Sequence, residues 1–269
     1  MRKGGGVNSQ SDSAATEFPD AGCAVVFGGS GGIGAATATL LAQRGCHVVI
    51  TYGSRRAEAE QLADSIAVSG PRATAVACDI TDVSSTQSVV DTALHEYGRV
   101  HTVVTATGKH FSTGPLADLG GEDFDDVFRA DVLGFFNVAK ATVPALRIGE
   151  GGSIVAVVAS STARTVPANA LSAAPKSAIA MMIRQLAAEE GRNGIRANAV
   201  GPGIVDGGMV TPMRQNPAIQ SMLDHAAESL PLGRLGRTEE IAEAIVFLAS
   251  SRASFITGQL LMVDGGHSV

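Results

Sequence analysis

Seven short apolar runs, most of them separated by a segment with helical periodicity, constrain this chain more than any other feature. They read CAVVFGG from 23, HVVITY from 47, ATAVACD from 73, HTVVTATG from 101, SIVAVVAS from 153, IRANAVGPG from 195 and LLMVDGG from 260. Runs this uniformly apolar suit strands buried on both faces, and the intervening helices supply the crossovers that parallel strands need. The segment IGAATATLLAQRG reads as a helix closed by Gly45, a residue suited to the left-handed C-terminal cap. RRAEAEQLADSIAVSG reads as a helix with Ser54 as its N-cap, and VSSTQSVVDTALHEYG as one capped by Asp82, both residue types that accept a hydrogen bond from a first-turn N–H. Thr238 precedes EEIAEAIVFLA, where Glu239 and Glu240 suit the positive end of the helix dipole. The glycine- and proline-containing stretch GPGIVDGGMVTPMRQNP, from 201, is the one long loop expected, and long loops in compact domains are often lids.

Composition narrows the function classes. A chain of 269 residues, 45% hydrophobic, can bury the core of one large domain; we expect that domain over 21–269, preceded by a flexible tail over 1–20. A net charge of −6 and a pI near 5.5 give no electrostatic footprint for nucleic acid or a membrane surface. The start of the chain is basic but has no apolar core for a signal peptide, and no apolar stretch reaches the length of a membrane span. Cys23, Cys46 and Cys78 are odd in number and lie within or at the end of apolar runs, which favours buried free thiols in a reducing cytoplasm over a disulfide or a metal site.

The first strand breaks into FGGSGGIG, residues 27–34, and a helix follows directly. Glycines there allow a tight turn and close approach of backbone to ligand, and the helix N-terminus turns free N–H groups toward a pyrophosphate. Gly28, Ser30, Gly31, Gly32, Ile33 and Gly34 are therefore the expected dinucleotide cradle.

The spacing of Gly28, Gly32, Ile33 and Gly34 resembles the short-chain dehydrogenase/reductase family, and further landmarks follow in its order: CDITD after the third strand, GIRANAVGPG before the lid and ITGQLLMVDGG at the end. The resemblance covers residues 21–269. It implies a single-domain α/β fold, a Rossmann-type doubly wound parallel sheet with helices on both faces. It also implies that Asp79 and the Ile80 backbone meet the adenine, that Thr105 lies at the cofactor, that Pro202, Gly203 and the Ile204 backbone meet the nicotinamide, and that the protein is a homo-oligomer, dimer or tetramer, pairing through its long helices. FFNVAKATVPAL and MMIRQLAA are candidate faces for that pairing.

The end of the second strand selects the cofactor. A carboxylate there would accept from a ribose 2′-OH and repel a 2′-phosphate; this chain has Tyr52, Gly53, Ser54, Arg55 and Arg56. With no acidic side chain and two guanidinium groups, NADP(H) is the expected cofactor, held by Arg55 with Ser54 beside it.

The reacting end departs from the family. There, by resemblance, a tyrosine exchanges the carbonyl proton, a lysine four residues later lowers its pKa and holds the ribose, a serine steadies the substrate oxygen and an asparagine maintains a water path. Aligned on Lys176, the tyrosine position is Ser172 and the asparagine position is Asp131, while the serine falls on Ala159, Ser160 or Ser161. Pro175 lies between Ser172 and Lys176, where it removes the N–H for the Leu171 carbonyl at roughly 3 kcal/mol, so a kink or a later helix start is expected. The candidate catalytic set is Lys176, Ser172, Asp131, Ser160 and His110, with Lys176 also on the cofactor ribose. Three functions fit: an NADP(H)-dependent oxidoreductase of a small carbonyl, imine or activated alkene with a non-standard proton donor; a cofactor-binding subunit with reduced chemistry; and a non-redox lyase or isomerase using the same pocket.

Overall fold

A computed structural model describes residues 16–207 and 216–269. Its main sheet contains all seven expected strands: β1 (Cys23–Phe27), β2 (His47–Tyr52), β3 (Ala73–Ala77), β4 (Val100–Thr105), β5 (Gly152–Val157), β6 (Ile195–Pro202) and β9 (Leu260–Val263). They are parallel and ordered β3-β2-β1-β4-β5-β6-β9. The chain works outward from β1 to β3, then crosses back to place β4 beside β1. Connections on either side of that junction leave in opposite directions, which opens a crevice at the carboxyl ends of β1 and β4. A second, two-stranded parallel ladder pairs β7 (Val205–Asp206) with β8 (Gly236–Arg237).

Helices cover both faces. Alternate residues of β1 part company: Ala24 and Val26 pack with Leu41 of α1 (Gly32–Gln43), Ala59 of α2 (Arg56–Val68) and Ile245 of α8 (Thr238–Ala249). Val25 and Phe27 face Val89 of α3 (Val83–Tyr97), Phe135 and Leu146 of α5 (Gly134–Ile148), and Ile183 of α6 (Ala170–Glu190). The period-2 geometry of a strand thus feeds two apolar layers from one uniformly apolar run. α4 (Gly121–Phe128) precedes α5, and α7 (Pro217–Ser229) follows the undescribed part of the expected lid, 208–215.

Helix ends match the sequence unevenly. Asp82 caps α3 by accepting from the Ser84 N–H at 2.8 Å, and Gly45, with φ +89°, ends α1 in the left-handed region. Ser54 does not cap α2: the cap position is Arg55, one residue nearer the helix, and no side chain bonds the first turn. Thr238 is itself the first residue of α8, and Glu240 accepts from the Arg237 N–H at 2.8 Å. Pro175 neither delays nor divides α6, which begins at Ala170. Leu171, Pro175, Ile179, Ile183 and Ala187 form its buried stripe at steps of four, so the proline packs into the interior while costing the helix one hydrogen bond.

Of the tail expected over 1–20, Glu17 pairs with Arg44 at 2.8 Å and Phe18 is buried in the core; residues 1–15 lie outside the described region. All three cysteines are free; burial pushes the Cys23 and Cys46 thiols up to about 12 and that of Cys78 to about 11. No described helix is long and apolar enough to cross a membrane, and no metal-holding cluster occurs among the described residues.

Candidate active site

The glycine turn lies at the sheet's crossover point and is packed too tightly for side chains. Gly28 has φ +76°, and a Cβ there would stand 2.8 Å from the Ala106 carbonyl oxygen beyond β4. A Cβ on Gly34 would stand 2.2 Å from the Gly28 carbonyl oxygen, so the first turn of α1 rests directly on the loop. The Gly28 N–H donates to Thr51 Oγ1 at 3.0 Å and the Gly31 N–H to the Gly28 carbonyl at 3.0 Å, which fix the turn. Gly31 caps α1 without a side chain, leaving the N–H groups of Gly32, Ile33 and Gly34 directed beyond the helix end, with half-buried Ser30 beside them.

Arg55 reaches over this turn. Its Nη2 lies 3.2 Å from where a Gly31 Cβ would be, and it makes no ion pair among the described residues. Arg56 is instead occupied by Glu60, Nε to Oε1 at 2.8 Å. Ser54 is exposed next to Arg55. Asp79 is exposed and shaped by its own turn, Oδ1 accepting from the Thr81 N–H at 2.9 Å and hydroxyl at 2.8 Å. The Ile80 carbonyl accepts from Asn137 Nδ2 at 3.0 Å, a buried contact between β3's exit and α5 that the sequence reading missed. Thr105 is buried at the end of β4 opposite Phe27. Pro202 closes β6, the Gly203 N–H donates to the Val263 carbonyl at 3.2 Å, and the Ile204 carbonyl accepts from Gly236 N–H at 3.0 Å. A turn that any Cβ would fill, free helix-end donors and an uncommitted guanidinium together fit a dinucleotide phosphate.

Across the crevice, a buried charge pair is assembled from three elements. Between α4 and α5 the backbone widens into a π-turn, Arg129–Leu133, a geometry frequent at functional sites. That turn directs Asp131 inward, where its Oδ2 meets Lys176 Nζ of α6 at 3.0 Å. Lys176 Nζ also donates to the Thr107 carbonyl, beyond β4, at 3.1 Å. The side chains are 5% and 12% exposed, so water does little to screen the pair. Asp131 Oδ1 is buried with no hydrogen-bond partner among the described residues, leaving one acceptor of a charged group unsatisfied within the site.

Ser172 stands one turn before Lys176 on α6, and its Oγ lies 3.4 Å from Ser161 Oγ, a long contact. Of the three positions left open for the serine, it is thus Ser161 that faces Ser172. Ser160, the residue chosen from sequence, turns away: its Oγ bonds His267 Nδ1 at 3.0 Å. The cause is local, since Ser160–Thr162 is a 3-10 turn, in which successive side chains diverge by a third of a revolution. His267, whose carbonyl accepts from Arg164 Nη1 at 2.6 Å, was not foreseen; the only signal was a histidine following the last glycines. His110 is exposed in the loop after β4 and joins no hydrogen bond or ion pair of the described residues. Tyr97 is bonded to Thr74 Oγ1 at 2.7 Å on the α3 side of the sheet, and Tyr52 ends β2; these are the chain's two tyrosines.

Known proteins match this chain over most of its length. The family described as "Enoyl-(Acyl carrier protein) reductase" matches residues 28–268. The chain is 38% identical to a cis-4-hydroxycyclohexanecarboxylate dehydrogenase of Sinomonas cyclohexanicum over 246 residues, covering 91% of this chain and 96% of the relative. It is 33% identical to versicolorin reductase 1 of Dothistroma septosporum, covering 90% and 94%. Among solved structures, a short-chain dehydrogenase/reductase from Serratia marcescens superposes with a TM-score of 0.84 at 30% identity, covering 94% of this chain and 100% of the other.

Proposed function

This chain belongs to the short-chain dehydrogenase/reductase family, whose members use nicotinamide cofactors, and on that premise we propose that it is an NADP(H)-dependent oxidoreductase acting on a small carbonyl, imine or activated alkene. The observation that carries the reading is Lys176: a part-buried ammonium on α6, held by the Asp131 carboxylate and the Thr107 carbonyl across the crevice from the glycine turn.

The cofactor, when bound, supplies or accepts hydride. Gly32, Ile33 and Gly34 would hold its pyrophosphate by backbone N–H groups above the turn shaped by Gly28, Ser30 and Gly31, with Asp79 and Ile80 at the adenine, Thr105 and Lys176 at the ribose, and Pro202, Gly203 and Ile204 at the nicotinamide. Arg55 supplies the fork that a 2′-phosphate requires and a 2′-OH does not. At the reacting end, Ser161 and Ser172 together orient the substrate's polar atom. In place of a phenol, the Lys176 ammonium, one helical turn after Ser172, serves as the donor; the Asp131 carboxylate aims it, so that the proton needed as negative charge develops on the substrate comes from Lys176 or from water ordered by it. Asp131 positions Lys176 rather than touching substrate. Phe136 and Met181, half exposed or more on α5 and α6, fit a homo-oligomeric contact through these helices, which light scattering coupled to gel filtration checks.

Titration of the protein with NADPH and NADH, followed by assay of cofactor consumption over a panel of carbonyls and imines, tests the proposal. We expect tighter binding of NADPH and slow but measurable turnover. Comparable affinity for the two cofactors removes the phosphate argument. Bound NADPH with no turnover favours a second reading, a cofactor-binding subunit without chemistry, which draws its support from the absence of a tyrosine on α6: Tyr97 ends α3, beside Thr74, and Tyr52 ends β2. A Ser172→Tyr variant then separates the two, because a gain of reduction shows the remaining scaffold to be competent.

A further inference from the structure

At the amino end of the sheet, opposite the crevice, lies a cavity of about 380 Å³ whose walls include Phe18, Pro19, Arg99, His101, Arg196 and Ala249. His101, near the start of β4, is 2% exposed. Its Nδ1 is 3.0 Å from Thr102 Oγ1, and its Nε2 is buried with no hydrogen-bond partner among the described residues. We assign the tautomer in which the Thr102 hydroxyl donates to Nδ1, so that Nε2 carries the ring proton as an unused donor. Burial, reinforced by nearby Arg99 and His47, pushes His101 down to about 4, so at neutral pH it offers one N–H and no charge.

The charge comes from the arginines. Arg99 is half-buried, its Nε is buried without a partner, and its guanidinium makes no ion pair among the described residues. Arg196 donates to the carbonyls of Leu248, Ala249, Ser250 and Ile256 at 2.6–3.4 Å, all neutral acceptors that leave its charge unbalanced. The one carboxylate on the cavity wall, Glu17, is already shared by Arg44 at 2.8 Å and Arg252 at 3.5 Å. Unpaired donors and surplus positive charge in a part-enclosed space are costly until an acceptor fills them. Phe18, whose ring centroid lies 6.1 Å from that of His101, adds an apolar wall with Pro19 and Ala249.

We propose that this cavity binds a small oxyanion, carboxylate or phosphate, received by the Arg99 guanidinium and the His101 Nε2–H. The apolar wall favours an organic carboxylate. The site is independent of the cofactor assignment, since its residues stand at the opposite ends of the same strands.

Calorimetric titration of the full chain with benzoate and, separately, with inorganic phosphate tests it, together with the ¹⁵N resonances of the histidine side chains. Saturable binding is expected, with displacement of the His101 Nε2 resonance and a loss of affinity of about tenfold or more in Arg99→Gln. Arg99→Lys, which keeps the charge without the fork, should fall between them. Arg99-dependent binding of phosphate alone upholds the site and assigns its headgroup. Failure of both probes to bind the unaltered protein, or binding that leaves His101 unmoved and is equal in Arg99→Gln, overturns the proposal.

Discussion

The two walls of the crevice are built on different principles. The β1–α1–β2 wall is made of backbone: Gly28 and Gly34 bring main chain so close to main chain that no side chain fits, and the groups at the helix end are N–H donors whose identity does not depend on residue type. The β4–α5–α6 wall is made of side chains: Lys176, Asp131, Ser161 and Ser172 come from three separated segments, and each could be exchanged without moving the backbone. A backbone site tolerates little sequence change because its constraint is steric. A side-chain site can be rebuilt one residue at a time.

Variants can break either wall. Lys176→Met should have the largest effect on stability, about 3–5 kcal/mol by urea denaturation, because it strands a buried Asp131 that already has one unsatisfied oxygen. Adding Asp131→Leu should recover much of that loss, and no recovery would mean that the pair is not energetically coupled. Gly34→Ala should cost about 1–3 kcal/mol by the same measurement, since its Cβ meets backbone rather than a yielding side chain, and it should weaken both NADPH and NADH. Arg55→Gln should weaken NADPH by about ten- to a hundredfold and leave NADH nearly unchanged, as read by fluorescence titration; equal losses would place Arg55 outside the phosphate site. The smallest effect should be the coupling between Ser160 and His267, about 1 kcal/mol in a double-alanine cycle.

The same contrast explains what the sequence could show. The strands were legible because burial on both faces demands uninterrupted apolar runs, and the tight turn after β1 because only glycine fits the backbone contacts at 28 and 34. Asp131 could be placed near Lys176 by resemblance, but not its π-turn, which leaves no compositional trace. Ala159, Ser160 and Ser161 stay open in the sequence because the rotation of a 3-10 turn decides which hydroxyl faces Ser172 of α6, and nothing in the sequence marks that rotation. By local propensity Pro175 is a helix breaker; its place on the buried stripe of a 21-residue helix outweighs the lost bond. The Ser160–His267 contact joins residues 107 apart, beyond the reach of any local pattern.

The proposed function requires that hydride chemistry persist on this scaffold with Lys176 in the proton path. It is tested most directly by measuring NADPH consumption by the unaltered protein and by Lys176→Met on the same carbonyl and imine panel, with cofactor binding measured in both. Turnover is expected in the former, and in the latter a fall of about 10²- to 10⁴-fold at saturating NADPH. Cofactor binding without turnover in the unaltered protein, or equal turnover in the two, would contradict it.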